Sequence, residues 1–206
     1  MNTDDLLDMY AVGYFPMAEH RDDSQVLFYA PKIRALLPID LHIPRRLKRT
    51  ALKFPFEITV DTKFEQVICA CADVRETTWI NDTIINLYTE LHYKGFAHSI
   101  ECWKEGLLVG GLYGVAMGGT FCGESMFSHA TDASKIALIH LCSRLKRGGF
   151  TILDSQFRNP HLDQFGLYEM SQKDYVAVLQ SHLADTVDFG RGGIVPQWDA
   201  YSGLDI

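Results

Sequence analysis

LLVGGLYGVAMGGTFCGESMFS, residues 107–128, is the stretch on which the fold turns. Apolar and small residues alternate across 107–117, the signature of a strand, and Gly118-Gly119 supplies the conformational freedom of a tight hairpin before a second strand over 120–127. Asp132 then precedes 133–147, where Ile136, Leu138, Ile139, Leu141, Cys142 and Leu145 recur at helical spacing. Arg144, Lys146 and Arg147 stand before Gly148, where the negative end of a helix dipole favours cations. Residues 150–156, FTILDSQ, form the next, buried strand. A strand that leaves a hairpin, crosses through a helix and returns beside it splays the sheet and opens a cleft, a usual place for a ligand.

On the N-terminal side, residues 4–12 are predicted helical and Gly13 ends them. Pro16, Pro31, Pro38 and Pro44 bias their predecessors toward extended geometry, so the chain up to residue 44 should be loops with short strands. A strand over 56–60, helices over 63–71 and 82–93, and a strand over 97–103 follow, with Asn81 or Asp82 capping the second helix and Gly95 stopping it. Beyond the central unit, 172–183 reads as a closing helix and the glycine-rich end as a flexible tail. The expected class is α+β, a mixed sheet with flanking helices.

The 206 residues carry 26 acidic and 19 basic side chains, a formal charge of -7, and 47% are apolar, enough for a genuine core. No apolar run approaches the ~20 residues of a membrane span, and the start, MNTDDLLDMY, is acidic where a signal peptide is basic and then apolar. A cytoplasmic, membrane-free chain is expected, and a monomer. Five cysteines without framework spacing fit a reducing compartment.

Several patterns are candidates for chemistry. Gly123-Glu124-Ser125 suggests a nucleophile elbow, but position 127 is Phe where that motif needs glycine, and Ser125, His129 and Asp132 are neighbours in sequence only. Cys69 and Cys71 point apart on a helix, so packing explains them better than a metal, and no metal or cofactor is expected. His98, in an alternating strand, reads as a satisfied core histidine. Asp154-Ser155-Gln156 is different, because alternation puts an acid and an amide on one face, about 7 Å apart at the backbone. With its NH2 held by Asp154, the Gln156 amide would present its oxygen outward as a fixed acceptor; a satisfied polar network at a sheet edge is the alternative. Residues 45–53, RRLKRTALK, hold five basic side chains in nine, either a solvated helix face or, with Phe28, Tyr29 and Trp79 as stacking surfaces, a nucleic-acid site.

The series TWI (78–80), HSIECW (98–103), LVGGLYGVAMGGTFCGESMFS (108–128), DASKIAL (132–138) and LDSQFRNPHLDQFG (153–166) resembles the leucyl/phenylalanyl-tRNA-protein transferases, with gaps, from Leu6 to Tyr175. The resemblance implies a GNAT-like (acetyltransferase-type) catalytic domain over 36–188, a shortened N-terminal subdomain over 1–35 and a flexible tail over 189–206. It implies transfer of leucine or phenylalanine from aminoacyl-tRNA to acceptor proteins with N-terminal Arg or Lys, marking them for N-end-rule degradation. Asp154 and Gln156 fall on the family's catalytic pair and Asn159 on a neighbouring polar residue. Leu112, Met126, Leu138 and Leu153 fall on its apolar donor pocket, with Glu124 and Ser125 at the polar rim and Glu124 as an anion for the acceptor's first side chain. Arg45, Lys48, Arg49 and Lys53 match its acceptor-stem cluster, and Trp79 an aromatic near the terminal adenosine. Phe28-Tyr29-Ala30-Pro31 stands where the family has Trp-Trp-Ser-Pro, and Met17 follows Phe15-Pro16 where it has an aromatic. Two alternatives use the same architecture. An acyl-CoA-dependent N-acyltransferase needs a glycine-rich pyrophosphate loop, and SHATDAS (128–134) has no glycine. A non-enzymatic tRNA-binding or degradation-adaptor protein needs only the basic patch.

Overall fold

The computed structural model describes residues 1–23 and 25–190. Asn2 opens α1 (Thr3–Ala11) with a capping box, its side chain accepting from the Asp4 and Asp5 N–H groups while Asp5 accepts from the N–H of Asn2. Strands β1 (Phe15–Met17) and β2 (Leu27–Tyr29) pair as a small antiparallel ribbon. Strand β3 (Ile33–Leu37) enters the main sheet, and α2 (Arg45–Ala51) carries the basic run. Next come β4 (Glu57–Val60), α3 (Phe64–Asp73) and α4 (Asp82–Tyr93), the last capped by the Asn81 side chain. The long meander β5 (Ala97–Lys104), β6 (Leu107–Met117), β7 (Thr120–Ser128) leads into α5 (Ala133–Gly148) and β8 (Ile152–Gln156). A single turn α6 (Pro160–Asp163), strand β9 (Tyr168–Ser171) and α7 (Gln172–His182) complete the described elements.

The seven strands of the main sheet run in the order β4-β5-β6-β7-β8-β3-β9. β7 and β8 are parallel, as a helical crossover requires, and the other pairs are antiparallel. The hairpin turns at Gly118, whose φ of 50° suits glycine. Successive residues of β6 serve opposite layers. Leu112 packs with α5 and α2 through Leu138, Leu141 and Leu47, while Tyr113 packs with α1, α3 and α4 through Tyr10, Val67 and Tyr88. α5 sits so close to β6 that a Cβ on Gly110 would lie 2.4 Å from that of Ala133.

The structure differs from the sequence reading in places. β1, β2 and β3 are the short strands expected before residue 44, but that β3 would join the main sheet, and that YEMS would form β9 beside it, was not legible, since Arg34 interrupts an apolar run and YEMS is short and polar. β3 also straddles residues 35 and 36, so the main sheet begins inside the segment assigned to the N-terminal subdomain. Phe189, first residue of the expected tail, is buried, stacks on His98 with centroids 3.9 Å apart, and offers its carbonyl to Arg144 at 2.7 Å. Residues 191–206 of that tail lie outside the described residues. Among the described residues no helix is long and apolar enough to cross a membrane.

Candidate active site

β7 and β8 pair only at Thr120–Ile152, Phe121–Leu153 and Cys122–Asp154, although β7 runs on to Ser128. Beyond Cys122 the two strands part, and a slot of about 100 Å³ opens between them. Leu112, Ser125, Met126, Leu138, Leu153, Asp154 and Asn159 line it, so the structure brings seven of the nine expected catalytic and donor-pocket residues to one cavity. Leu37, Leu141 and Leu162 complete its apolar wall. The slot is smaller than the engineered apolar cavity of about 150 Å³ that takes up benzene, so it suits a branched aliphatic side chain, or an aromatic one seated partly in the open end. Asn159 holds the rim by capping α6, its side chain accepting from the His161 N–H at 3.0 Å.

The other two expected residues, Glu124 and Gln156, meet next to the slot rather than inside it. In the β6–β7 ladder Tyr113 opposes Ser125 and Gly114 opposes Gly123, which leaves Glu124 as the extra residue of a bulge. Bulges re-aim side chains, and this one sends Glu124 toward α1 and α4. Its Oε1 accepts from the Tyr10 hydroxyl at 2.7 Å and its Oε2 from the Tyr88 hydroxyl at 3.1 Å, and the two hydroxyls also hydrogen-bond to each other. The Gln156 Nε2 donates to Oε1 at 3.3 Å. Burial pushes the Glu124 carboxyl up to about 7, against the tyrosine hydrogen bonds that favour its ionised form. The half-buried Glu124 carboxyl thus already takes three donors.

A second bulge, in the β3–β8 pair, places Ala35 opposite Gln156 and Leu36 opposite Asp154, with Ser155 extra. Gln156 then turns into the left-handed region at φ 56°, a conformation that costs a non-glycine residue about 1–3 kcal/mol unless neighbours hold it. Asp154 is the holder, its Oδ1 accepting the Gln156 backbone N–H at 2.9 Å. Here the sequence reading is corrected, because Asp154 grips the backbone of Gln156 and Glu124 takes the amide. The reason is the left-handed turn, which breaks the alternation on which that expectation relied.

Asp154 is itself wholly buried, and the partner that makes this tolerable was not foreseen. Arg34, equally buried, donates from Nε to Oδ1 at 2.9 Å and from Nη2 to Oδ2 at 2.5 Å, and the Tyr175 hydroxyl donates to Oδ2 at 2.9 Å. The guanidinium lies between the rings of Phe15 and Tyr175, 4.8 and 4.3 Å from their centroids, and gives Nη1 to the Gly13 carbonyl at 3.1 Å. The available signal was a lone cation in IRALL between Pro31 and Pro38, which a strand can bury only against an acid. Tyr10 and Tyr88 gave no such signal, since aromatics at helical spacing look like core. Arg75, exposed at the slot's mouth, was also missed; among the described residues it has no ion pair.

Other candidates fall apart or into place. Asp132 is taken by Lys135 at 2.9 Å and Arg46 at 3.4 Å, and no hydrogen bond joins Ser125 to His129 among the described residues. His98 meets Asp61 at 2.8 Å. Met17, Phe28, Tyr29 and Trp79 gather at the half-buried fringe of one core layer, with the Trp79 carbonyl accepting from the Ala18 N–H at 3.3 Å. Arg45, Arg49 and Lys53 are exposed around α2 and Lys48 is half-buried, while Leu47 anchors the helix in the layer that walls the slot.

Comparison with known proteins gives the family. The family profile described as leucyl/phenylalanyl-tRNA protein transferase matches residues 35–180. The leucyl/phenylalanyl-tRNA--protein transferase of Hyphomonas neptunium is 51% identical over 205 residues, 98% of this chain and 80% of that protein. Those of Phenylobacterium zucineum and Paramagnetospirillum magneticum are 51% and 48% identical, covering 97% and 95% of this chain and 93% and 95% of theirs. With a matching profile over most of its sheet and relatives about half identical to it over 80% or more of their own length, the chain belongs to the leucyl/phenylalanyl-tRNA protein transferase family.

Proposed function

We propose that this chain moves leucine or phenylalanine from aminoacyl-tRNA to the N-terminal Arg or Lys of acceptor proteins, marking them for N-end-rule degradation in the cytoplasm. The observation that carries the reading is the apolar slot lined at its polar end by Asp154 and Asn159, with Gln156 held beside it by Asp154. The donor side chain fills the slot, where burial is worth roughly 1.5–3 kcal/mol. Its ester carbon is then left at the mouth. One methylene more or less changes that by about 1–3 kcal/mol, so selection against smaller aliphatic residues is modest. The terminal adenosine lies across Trp79, Phe28 and Tyr29, Arg75 meets the phosphate nearest the ester, and α2 holds the stem through Arg45, Lys48, Arg49 and Lys53.

An aminoacyl ester is already activated, so attack by an amine needs chiefly positioning. An α-amino group titrates near about 7.7, which leaves a useful neutral fraction. Gln156 presents its amide oxygen to that amine, and Asp154 acts one step behind, fixing the turn that aims the amide. The mixed sheet with its splayed parallel pair supports a GNAT-like core over 36–188, extended back to Ile33 by β3 and its Arg34, with the segment before it as a subdomain that lends Tyr10 to the site. We place the active form as a monomer.

The test is a single-turnover assay with charged Leu-tRNA and an Arg-starting peptide. The expected product is Leu-Arg-peptide, formed without acyl-CoA. Binding of tRNA without product would mark an adaptor, and product only with acyl-CoA would mark an N-acyltransferase.

A further inference from the structure

Tyr10, Tyr88 and Glu124 form a closed triangle of oxygen contacts whose protons can be counted. Three contacts join them: Tyr10 to Tyr88, Tyr10 to Oε1 and Tyr88 to Oε2. With Glu124 ionised only the two hydroxyl protons are present, and the hydroxyl–hydroxyl contact sets lone pair against lone pair. A third proton fills the triangle. Because Oε1 already accepts from Gln156 as well as Tyr10, the added proton belongs on Oε2, running to Tyr88, then Tyr10, then Oε1. The triangle is therefore built to hold one more proton than it carries when Glu124 is charged, and among the described residues its hydrogen bond toward the slot comes from the Gln156 carboxamide.

We propose that Glu124, closed into this ring, is the store for the proton that the attacking amine releases, filled and emptied through the Gln156 carboxamide. The inference rests on the aminoacyl-transfer reading. In the step, the amine nitrogen bonds to the ester carbon and the carbon–oxygen bond to the ribose breaks. The nitrogen gives one proton to the Gln156 Oε1 while Nε2 gives one to Glu124 Oε1, the oxygen it touches, from which the ring hands a proton on through Tyr10 and Tyr88 to Oε2. The resulting imidic acid then passes its Oε1 proton to the departing ribose oxygen and recovers one at Nε2 from Glu124. One proton has moved from nitrogen to ribose oxygen, and both side chains are restored. The amide alone is far too weak a base to hold that proton, and Asp154 is committed to Arg34, Tyr175 and the Gln156 backbone.

The groups that set the charge on Glu124 come from every neighbouring element: Tyr10 on α1, Arg34 on β3, Tyr88 on α4, Tyr113 on β6, Cys122 on β7 and Asp154 on β8. Their sum, dominated by burial, puts its titration near neutral pH, where a group can both take up a proton and return it. Glu124 is thus a positioning and storage group behind Gln156, and its signature lies in pH dependence.

The experiment is single-turnover transfer at saturating tRNA and peptide across pH 5–9, for the wild type, Glu124→Gln and Tyr88→Phe. In the wild type both the amine and Glu124 must be deprotonated, so the acid limb of log rate falls with a slope of two. Glu124→Gln keeps the shape but not the store; its limb falls with a slope of one, and its plateau drops about 100-fold or more, with the KM for charged tRNA unchanged within threefold. Tyr88→Phe removes a donor that favours the carboxylate, so one of the two wild-type titrations moves upward. A wild-type slope of one, or a Glu124→Gln plateau at the wild-type level, overturns the relay and leaves the transferase reading standing. A wild type that transfers nothing overturns both. If Glu124→Gln does not fold, Tyr88→Phe decides, since an unmoved limb also overturns the relay.

Discussion

Arg34 and Asp154 commit two full charges to a place where water does not reach. Such a pair contributes little beyond what apolar residues of the same volume would, but removing one partner strands the other and costs about 3–5 kcal/mol. For a chain of this length that lowers the melting temperature by roughly 6–20 °C. Both Arg34→Met and Asp154→Ala should show it in thermal denaturation. The double replacement Arg34→Leu with Asp154→Leu should recover most of the loss and still fail to transfer, because the Gln156 turn no longer has its anchor. If the double variant transfers normally, Asp154 has no part in the mechanism. Glu124 makes the opposite kind of statement about pH. Its folded-state titration, near 7, lies above the ordinary carboxyl value of 4.5, so the folded state binds the proton more tightly than the unfolded one. Stability therefore falls as pH rises from about 4.5 to 7, by on the order of 3 kcal/mol if nothing else titrates. Glu124→Gln should abolish that decline in urea titrations between pH 5 and 8.

Two bulges, one in each ladder flanking the slot, carry Glu124 and Gln156 to the same place. Neither could be read from alternation, which supplies strands but not the position at which a ladder slips. What could be read was local: the Asn81 cap of α4, the Gly118 turn, the apolar stripe of α5 and the crossover from β7 to β8. Hence the slot's lining was recovered from the sequence, through resemblance, while the polar cluster beside it was only half recovered. Leu138 and Leu153 were in reach, but Tyr10, Tyr88 and Arg34 belong to the site only through partners far along the chain, 78 positions apart for the two tyrosines and 120 for the ion pair. The close seat of α5 on β6 also makes a prediction. A Cβ at Gly110 would meet Ala133 at 2.4 Å, so Gly110→Ala must push the start of α5 off the sheet, at about 1–3 kcal/mol. Since α5 is also a wall of the slot, the same variant should alter the ratio of leucine to phenylalanine transfer, measured with the two charged tRNAs in competition. An unchanged ratio would mean that the slot does not select the donor.

At the scale of the whole molecule, an excess of seven negative charges surrounds one short basic helix. The field of the body discourages indiscriminate contact with RNA, and in the proposed reading α2 is the landing place for a phosphate backbone. Replacing Arg45 and Arg49 by Gln should weaken charged-tRNA binding and flatten the log K against log salt plot by about one unit of slope for each phosphate no longer neutralised. An unaltered slope would remove α2 from the interface. The molecule also ties its first turns to its last strands. Tyr10 reaches Glu124 across 114 positions and Arg34 reaches Asp154 across 120. Closing loops of that length is entropically demanding, so these contacts are formed after the local hairpins and helices. During synthesis the guanidinium at position 34 emerges from the ribosome long before its carboxylate has been made, and no nascent fragment can bury it. The proposed site is thus the seam along which the early and late parts of the polypeptide are sewn, and its ion pair exists only once the strand bearing Asp154 has been translated.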